Sequence, residues 1–181
     1  MPIVRLSGST PIHTTFVSGI GSSVGWGVVI EERVCCGKNV LIGHNVVIRP
    51  NVVIGDDVVI GHNTTIEDDV VIGDETRIQA NCYITRLTRI EDKVFIGPCC
   101  CTTNDWNIES HGRKKVRGLE GVRIMHGARI GAGVLMMPGV TIGRNAFVGA
   151  GSTVAKDVGE NQMVHGGRAQ VMGEVPEEDR I

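Results

Sequence analysis

Every sixth residue from position 30 to position 96 is isoleucine, except Cys36: Ile30, Ile42, Ile48, Ile54, Ile60, Ile66, Ile72, Ile78, Ile84, Ile90 and Ile96. Four residues after each comes a second small or β-branched residue, as in Val34, Val40, Val46, Thr64, Thr76 and Cys82. Gly, Asp, Asn and Glu fill the gaps. A helix cannot use this pulse, because a step of six turns the apolar residue by about 240° around the axis each time. A long flat strand is excluded by a turn-forming pair such as Gly-Asp or His-Asn in nearly every hexad. Strand and corner in alternation satisfy both constraints. Three hexads then close a triangular coil of 18 residues, and coils stack with the isoleucines inside.

Such a narrow prism needs no large rings, and aromatic residues make up only 3% of the chain, against 25 glycines. The pulse runs over most of the 181 residues, so a single domain is expected. A net charge of −2 leaves no basic footprint for nucleic acid. No apolar run approaches the roughly 20 residues of a membrane span. The opening Met1-Pro2-Ile3-Val4-Arg5 does not read as a signal peptide, and a cytoplasmic protein is expected. The six cysteines, among them Cys99-Cys100-Cys101, lack the paired spacing of a zinc site and are expected as reduced packing residues.

Residues 1–11 are expected to cap the prism, and residues 12–102 to form its first five coils. One outward column, Trp26, His44, His62, Ala80 and Pro98, repeats every 18 residues and places His44 beside His62. That pair reads either as a metal or subunit contact or as two solvated corner histidines. Residues 103–121 break the pulse, carrying Trp106 and the cluster Arg113, Lys114, Lys115 and Arg117. An ejected loop of this length on a rigid scaffold is where function usually sits. The pulse resumes at Ile124, Ile130, Met136, Ile142, Val148 and Val154, giving coils over 122–158 and a C-terminal turn and tail over 159–181. The flat sides of a triangular prism suit side-by-side association, and a closed ring of three fits its section.

The repeat resembles that of the hexapeptide-repeat acyltransferases, which implies a left-handed parallel β-helix of about seven coils. The series Ile130-Gly131-Ala132-Gly133, Pro138-Gly139-Val140-Thr141-Ile142-Gly143, Gly149-Ala150-Gly151 and Lys156-Asp157 is similar to the coenzyme-A coils of that superfamily. The resemblance implies acetyl-CoA as co-substrate, lying between subunits of a homotrimer. It implies that Gly131, Ala132 and Ala150 line the pantetheine arm and that Lys156 lies near the nucleotide end. In the last turn, Gly166-Gly167-Arg168-Ala169-Gln170 places Gln170 where a cation is usual and Arg168 close by.

Thr103-Asn104-Asp105 looks like the corresponding motif of nucleotide-amino-sugar N-acetyltransferases. On that resemblance Asn104 orients the acceptor or holds the thioester oxygen, and Asp105 holds the ammonium or takes its proton. A neutral amine needs less help than a hydroxyl, which is why a histidine is not required there. His111 and His126 are the rival bases, and with one of them the chain reads as an O-acetyltransferase of a sugar or small hydroxyl compound. The plainer reading of Asn104-Asp105 is a turn cap. Two further readings share the prism: a non-catalytic scaffold and a γ-class carbonic anhydrase-like protein. The closely spaced histidine pair of the latter is missing among residues 13, 44, 62, 111, 126 and 165. The expected function is N-acetylation of an amino sugar, expected to be nucleotide-linked, in surface-polysaccharide synthesis.

Overall fold

The computed structural model describes residues 5–6, 17–106, 118–167 and 170–180. The chain is a left-handed parallel β-helix of about seven coils. Two-residue strands build three faces. We label the sheet through Leu41–Ile42, Val59–Ile60 and Arg77–Ile78 the first face, that through Val47–Ile48 and Thr65–Ile66 the second, and that through Val53–Ile54 and Val71–Ile72 the third. Each strand pairs in parallel with the one 18 residues on, Val47 with Thr65 and Thr65 with Tyr83.

The second residue of each two-residue strand from Ser23–Val24 to Thr153–Val154 points inward. Ile48, Ile66, Ile78, Ile84, Ile96, Ile124 and Ile130 are fully buried, as is the companion set of Val34, Val40, Val46, Val52 and Val58. Each buried isoleucine contributes roughly 1.5–3 kcal/mol, so the repeated column is the main source of cohesion. Threonine stands in for valine at Thr64 and Thr76 because its hydroxyl finds the carbonyl of Gln79 at 3.1 Å and of Glu91 at 2.9 Å.

Corners need one residue in the left-handed region, and Asn, Asp or Gly usually supplies it. Asn39, Asn45, Asn51, Asp57, Asn63 and Asn81 all lie between φ 55° and 62°. Their side chains bond along the prism: Asn45 donates to Asn63 at 3.2 Å, and Asn63 to Asn81 at 3.3 Å. The polar residues between the isoleucines thus have a structural task of their own.

Strand Arg5–Leu6 already pairs in register with Ser23–Val24, within the segment expected as a cap. At the far end, Gln162–His165 adds to the first face beside Phe147–Val148, and Gln170–Glu174 returns antiparallel to it. Among the described residues no helix is long and apolar enough to cross a membrane.

A candidate site at the foot of the ejected loop

The loop leaves the prism after the second-face strand Cys101–Thr102 and returns before the third-face strand Arg123–Ile124. Coil pairing continues across it as if nothing had been inserted: Arg89 pairs with Arg123, Phe95 with Arg129 and Cys101 with Leu135. Exit and return meet at one corner, where the Glu120 N–H donates to the Asn104 carbonyl at 2.9 Å. Gly139 N–H then donates to the Glu120 carbonyl at 2.9 Å, as Asn51 does to the Glu32 carbonyl at 3.2 Å earlier in the same corner column. Glu120 therefore occupies the regular corner position, and Asn104 is the residue that steps out.

That step leaves the Arg86 carbonyl without the backbone donor that the next coil would bring. Asn104 supplies it instead, its Nδ2 donating to the Arg86 carbonyl at 3.3 Å. The turn-cap role is thus present, and it uses one of two amide hydrogens. Arg86 is itself fixed, its backbone N–H on Glu67 Oε2 at 2.8 Å and its guanidinium on Asp69 Oδ2 at 2.7 Å. Those bonds to Arg86 hold the Asp69 carboxyl below its usual range. Behind the exit, the hydroxyls of Thr85 and Thr102 lie 2.8 Å apart in a buried pair, and Thr103 Oγ1 donates to the Met136 carbonyl at 3.0 Å. Asp105 and Trp106 are exposed beyond it.

Beside this foot, on the third face, a shallow groove of about 430 Å³ is lined by Arg89, Leu119, Glu120, Arg123, Gly139 and Thr141, among others. Glu120 was not singled out by sequence reasoning, and it lies against Gly139, where a methyl group would collide with its carboxylate. Its place can be found only by counting coil positions back from Gly139.

The expected coenzyme residues fall on two edges. Ala132 and Ala150 are exposed on the corner between first and second faces, continuing the column of His44, His62, Ala80 and Pro98. The residue after each is Asn45, Asn63, Asn81 and Cys99 and then Gly133 and Gly151, while at the start of the column Trp26 is followed by Gly27. A Cβ at Gly133 or Gly151 would meet nothing within 4 Å, so these corners face open space with bare backbone. Gly131 differs: its Cβ would stand 2.5 Å from the Ala150 amide nitrogen, and it is a packing residue of the coil stack. Thr153 N–H donates to the Gly167 carbonyl at 3.0 Å, which brings the terminal hairpin to the same end of the prism. Gln170 is exposed in that hairpin opposite His165. Lys156 is exposed on the other edge, in the corner column of Glu120 and Pro138. Arg168 and His111, as well as the cluster 113–117, lie outside the described residues.

His126 sits on the corner between third and first faces, its N–H on Glu91 Oε2 at 2.9 Å. It lies six positions after Glu120, up to about 20 Å along an extended chain and one whole face away. His44 and His62 stack with ring centroids 4.9 Å apart. Each accepts a backbone N–H through Nδ1, from Trp26 at 2.8 Å and from His44 at 2.7 Å. That pattern assigns the proton to Nε2, which leaves no lone pair there for a metal. Among the described residues no group of three or more His, Cys, Asp or Glu side chains could hold a metal ion.

Segments 36–68, 51–86 and 121–156 match the family described as bacterial transferase hexapeptide, six repeats. A Schizosaccharomyces pombe chain named as an acetyltransferase is 32% identical over 92 residues, 49% of this chain and 44% of the relative. A galactoside O-acetyltransferase of Lactococcus lactis is 40% identical over 50 residues, 28% of this chain and 24% of the relative. The chain thus spans less than half the length of the curated relatives it matches. Among solved structures, a hexapeptide-repeat acetyltransferase of Vibrio cholerae complexed with acetyl coenzyme A superposes with a TM-score of 0.55 at 23% identity. That match covers 84% of this chain and 73% of the other, a likeness of fold.

Proposed function

We propose for this chain, whose segments 36–68, 51–86 and 121–156 match the bacterial transferase hexapeptide family, an acetyl-CoA-dependent acetyltransferase activity on the amine of a nucleotide-linked amino sugar. Such a reaction serves surface-polysaccharide synthesis, and the working assembly is a homotrimer in the cytoplasm. The observation that carries the reading is the change of side-chain size along one edge. Upstream of the loop the edge is mixed, running through Trp26-Gly27, His44-Asn45, His62-Asn63, Ala80-Asn81 and Pro98-Cys99, whereas downstream it holds only the small pairs Ala132-Gly133 and Ala150-Gly151. Bare backbone on successive corners lets a long thin thioester arm lie close and bond to N–H and C=O groups. Lys156 complements phosphate, a role the family resemblance extends to Arg168.

At the loop foot, the second amide hydrogen of Asn104 is available to the thioester oxygen, where negative charge develops as the amine adds to the carbonyl. Asp105 takes the ammonium proton, and the thiolate of the coenzyme leaves with a proton returned to it. The amine reading is supported by the amide of Asn104 and the carboxylates of Asp105 and Glu120 at the foot, with His126 a face away. The Lactococcus lactis relative supports a second reading, hydroxyl acetylation, which requires His111 as base.

Titration with acetyl-CoA in a thermal-shift assay tests the coenzyme part, because a ligand bound only by the folded chain raises the melting temperature. No rise at millimolar acetyl-CoA would remove the transferase reading and leave a scaffold. Acceptor screening by thiol release then separates amines from hydroxyls.

A further inference from the structure

Arg89 and Arg123 are direct partners on the third-face ladder, although 34 positions separate them in sequence. Like charges placed opposite each other on a sheet repel, and an acidic neighbour normally offsets this. Here the flanking outward residues are Val71 and Thr141, and neither arginine forms an ion pair among the described residues. Arg89 is held in place rather than loose: its Nη1 donates to the Asp69 carbonyl and, at 3.2 Å, to the Thr88 carbonyl. Both Arg89 and Arg123 line the groove at the loop foot. Thr141 adds a hydroxyl to that lining, and among the described lining residues Glu120 is the one carboxylate.

We propose that this groove is an anion site in which Arg89 and Arg123 together hold a phosphate or diphosphate group of the acceptor. Paired guanidinium forks matched to phosphate oxygens are the chemistry that makes two adjacent cations favourable. A second groove, lined by Asp57, Glu75, Arg77, Lys93 and Phe95 among others, balances two cations with two carboxylates and lacks this surplus. The position of the anion site fixes the direction of the acceptor. Its phosphate end lies on the third face and its reacting end is turned toward Asn104 and Glu120. The assignment of the anion to an acceptor rests on the acetyl-transfer reading, whereas the anion site itself does not.

Inorganic pyrophosphate is the probe, titrated into the full-length protein in 0.15 M salt by calorimetry. Saturable binding is expected, with Arg123→Gln and Arg89→Gln each weakening it about tenfold. Glu120→Gln should keep or raise the affinity, and Arg77→Gln, the same charge change on another face, should leave it unchanged. Absence of saturable binding, or an equal loss in Arg77→Gln, overturns the proposal. The acetyl-CoA shift must survive in Arg123→Gln. If it is lost there, the groove belongs to the coenzyme's own phosphates and the acceptor assignment falls. A chain that binds pyrophosphate through these arginines yet ignores acetyl-CoA keeps the anion site and loses the transferase reading.

Discussion

The backbone of Glu120 hydrogen-bonds to that of Asn104 at 2.9 Å, so the ejected loop leaves and rejoins the prism through a single corner. Its removal should then cost the scaffold little. Deleting residues 104–119 joins Thr103 to Glu120, restores the 18-residue coil and keeps the Gly139 to Glu120 bond. The variant is expected to melt within a few degrees of the parent, since no buried isoleucine is touched and the closure entropy of a long loop is refunded. Acetyl transfer should be abolished with the loss of Asn104 and Asp105. Circular dichroism melting and thiol release check the two halves, and a collapsed melting temperature would show that the loop props the coils.

Two glycines two residues apart have opposite tasks. A methyl at Gly131 collides with the Ala150 amide of the next coil, so Gly131→Ala should destabilise by about 2 kcal/mol or more as an overpacking change. At Gly133 space is open and only φ +67° resists, a cost of about 1 kcal/mol for alanine. Gly133→Asn restores the upstream residue type, which tolerates that conformation. It should melt near the parent but weaken acetyl-CoA by filling the bare edge. Comparing denaturant midpoints with acetyl-CoA affinities distinguishes packing from binding.

The coils were legible because a period of six repeated a dozen times leaves only one geometry that buries every isoleucine. Asn and Asp at the corners were legible only as turn formers; their bonds along the prism depend on stacking that one coil does not show. The foot of the loop was half legible. Asn104 and Asp105 stand where the pulse stops, but Glu120 gains its place from the register after the loop, which the breaking sequence itself does not carry. Arg89 and Arg123 meet because the inserted residues are looped out of the coil count. Adjacency of that kind follows from the fold, not from local sequence. The two roles of glycine were merged in the sequence pattern, since Gly131 and Gly133 differ in what lies above them and not in what lies beside them.

His62 should behave as a substitute for aspartate. On the neighbouring edge Asp56 and Asp74 accept backbone N–H groups through Oδ1 at 2.7 Å, as His44 and His62 do through Nδ1. His62→Asn is therefore expected to retain the melting temperature, whereas His62→Ala leaves the His44 N–H to water and loses stability of about 1 kcal/mol. A chelator should change neither. Destabilisation by the chelator, or an asparagine variant as weak as the alanine one, would point to a metal instead.

Thiol labelling reads the interior directly. Burial, with Cys35 beside it, pushes the Cys36 thiol up to about 12, so at pH 8 only about 10⁻⁴ of it is thiolate. Native protein treated with iodoacetamide should label Cys35 and Cys99, which are exposed, and spare Cys36, Cys82 and Cys100. Because the Cys36 pKa is raised, labelling there should begin only as pH climbs toward 12 or when the prism unfolds. Rapid modification at pH 8, mapped by mass spectrometry, would mean that the first coils open.

Asn104 carries a structural bond and a proposed chemical one, and the two can be separated. Asn104→Ala removes both: the Arg86 carbonyl loses its donor at an exposed corner, which costs about 1 kcal/mol or less, and the thioester oxygen loses its donor. Loss of a donor to a developing oxyanion lowers kcat about 100-fold or more. Asn104→Gln keeps an amide but moves it by one methylene, so stability should recover while turnover stays low. His126→Ala, a face away, should leave kcat near the parent value. Turnover that tracks melting temperature across the two Asn104 variants would reduce Asn104 to its cap role, and a collapse in His126→Ala alone would move the reacting centre to the opposite edge of the third face.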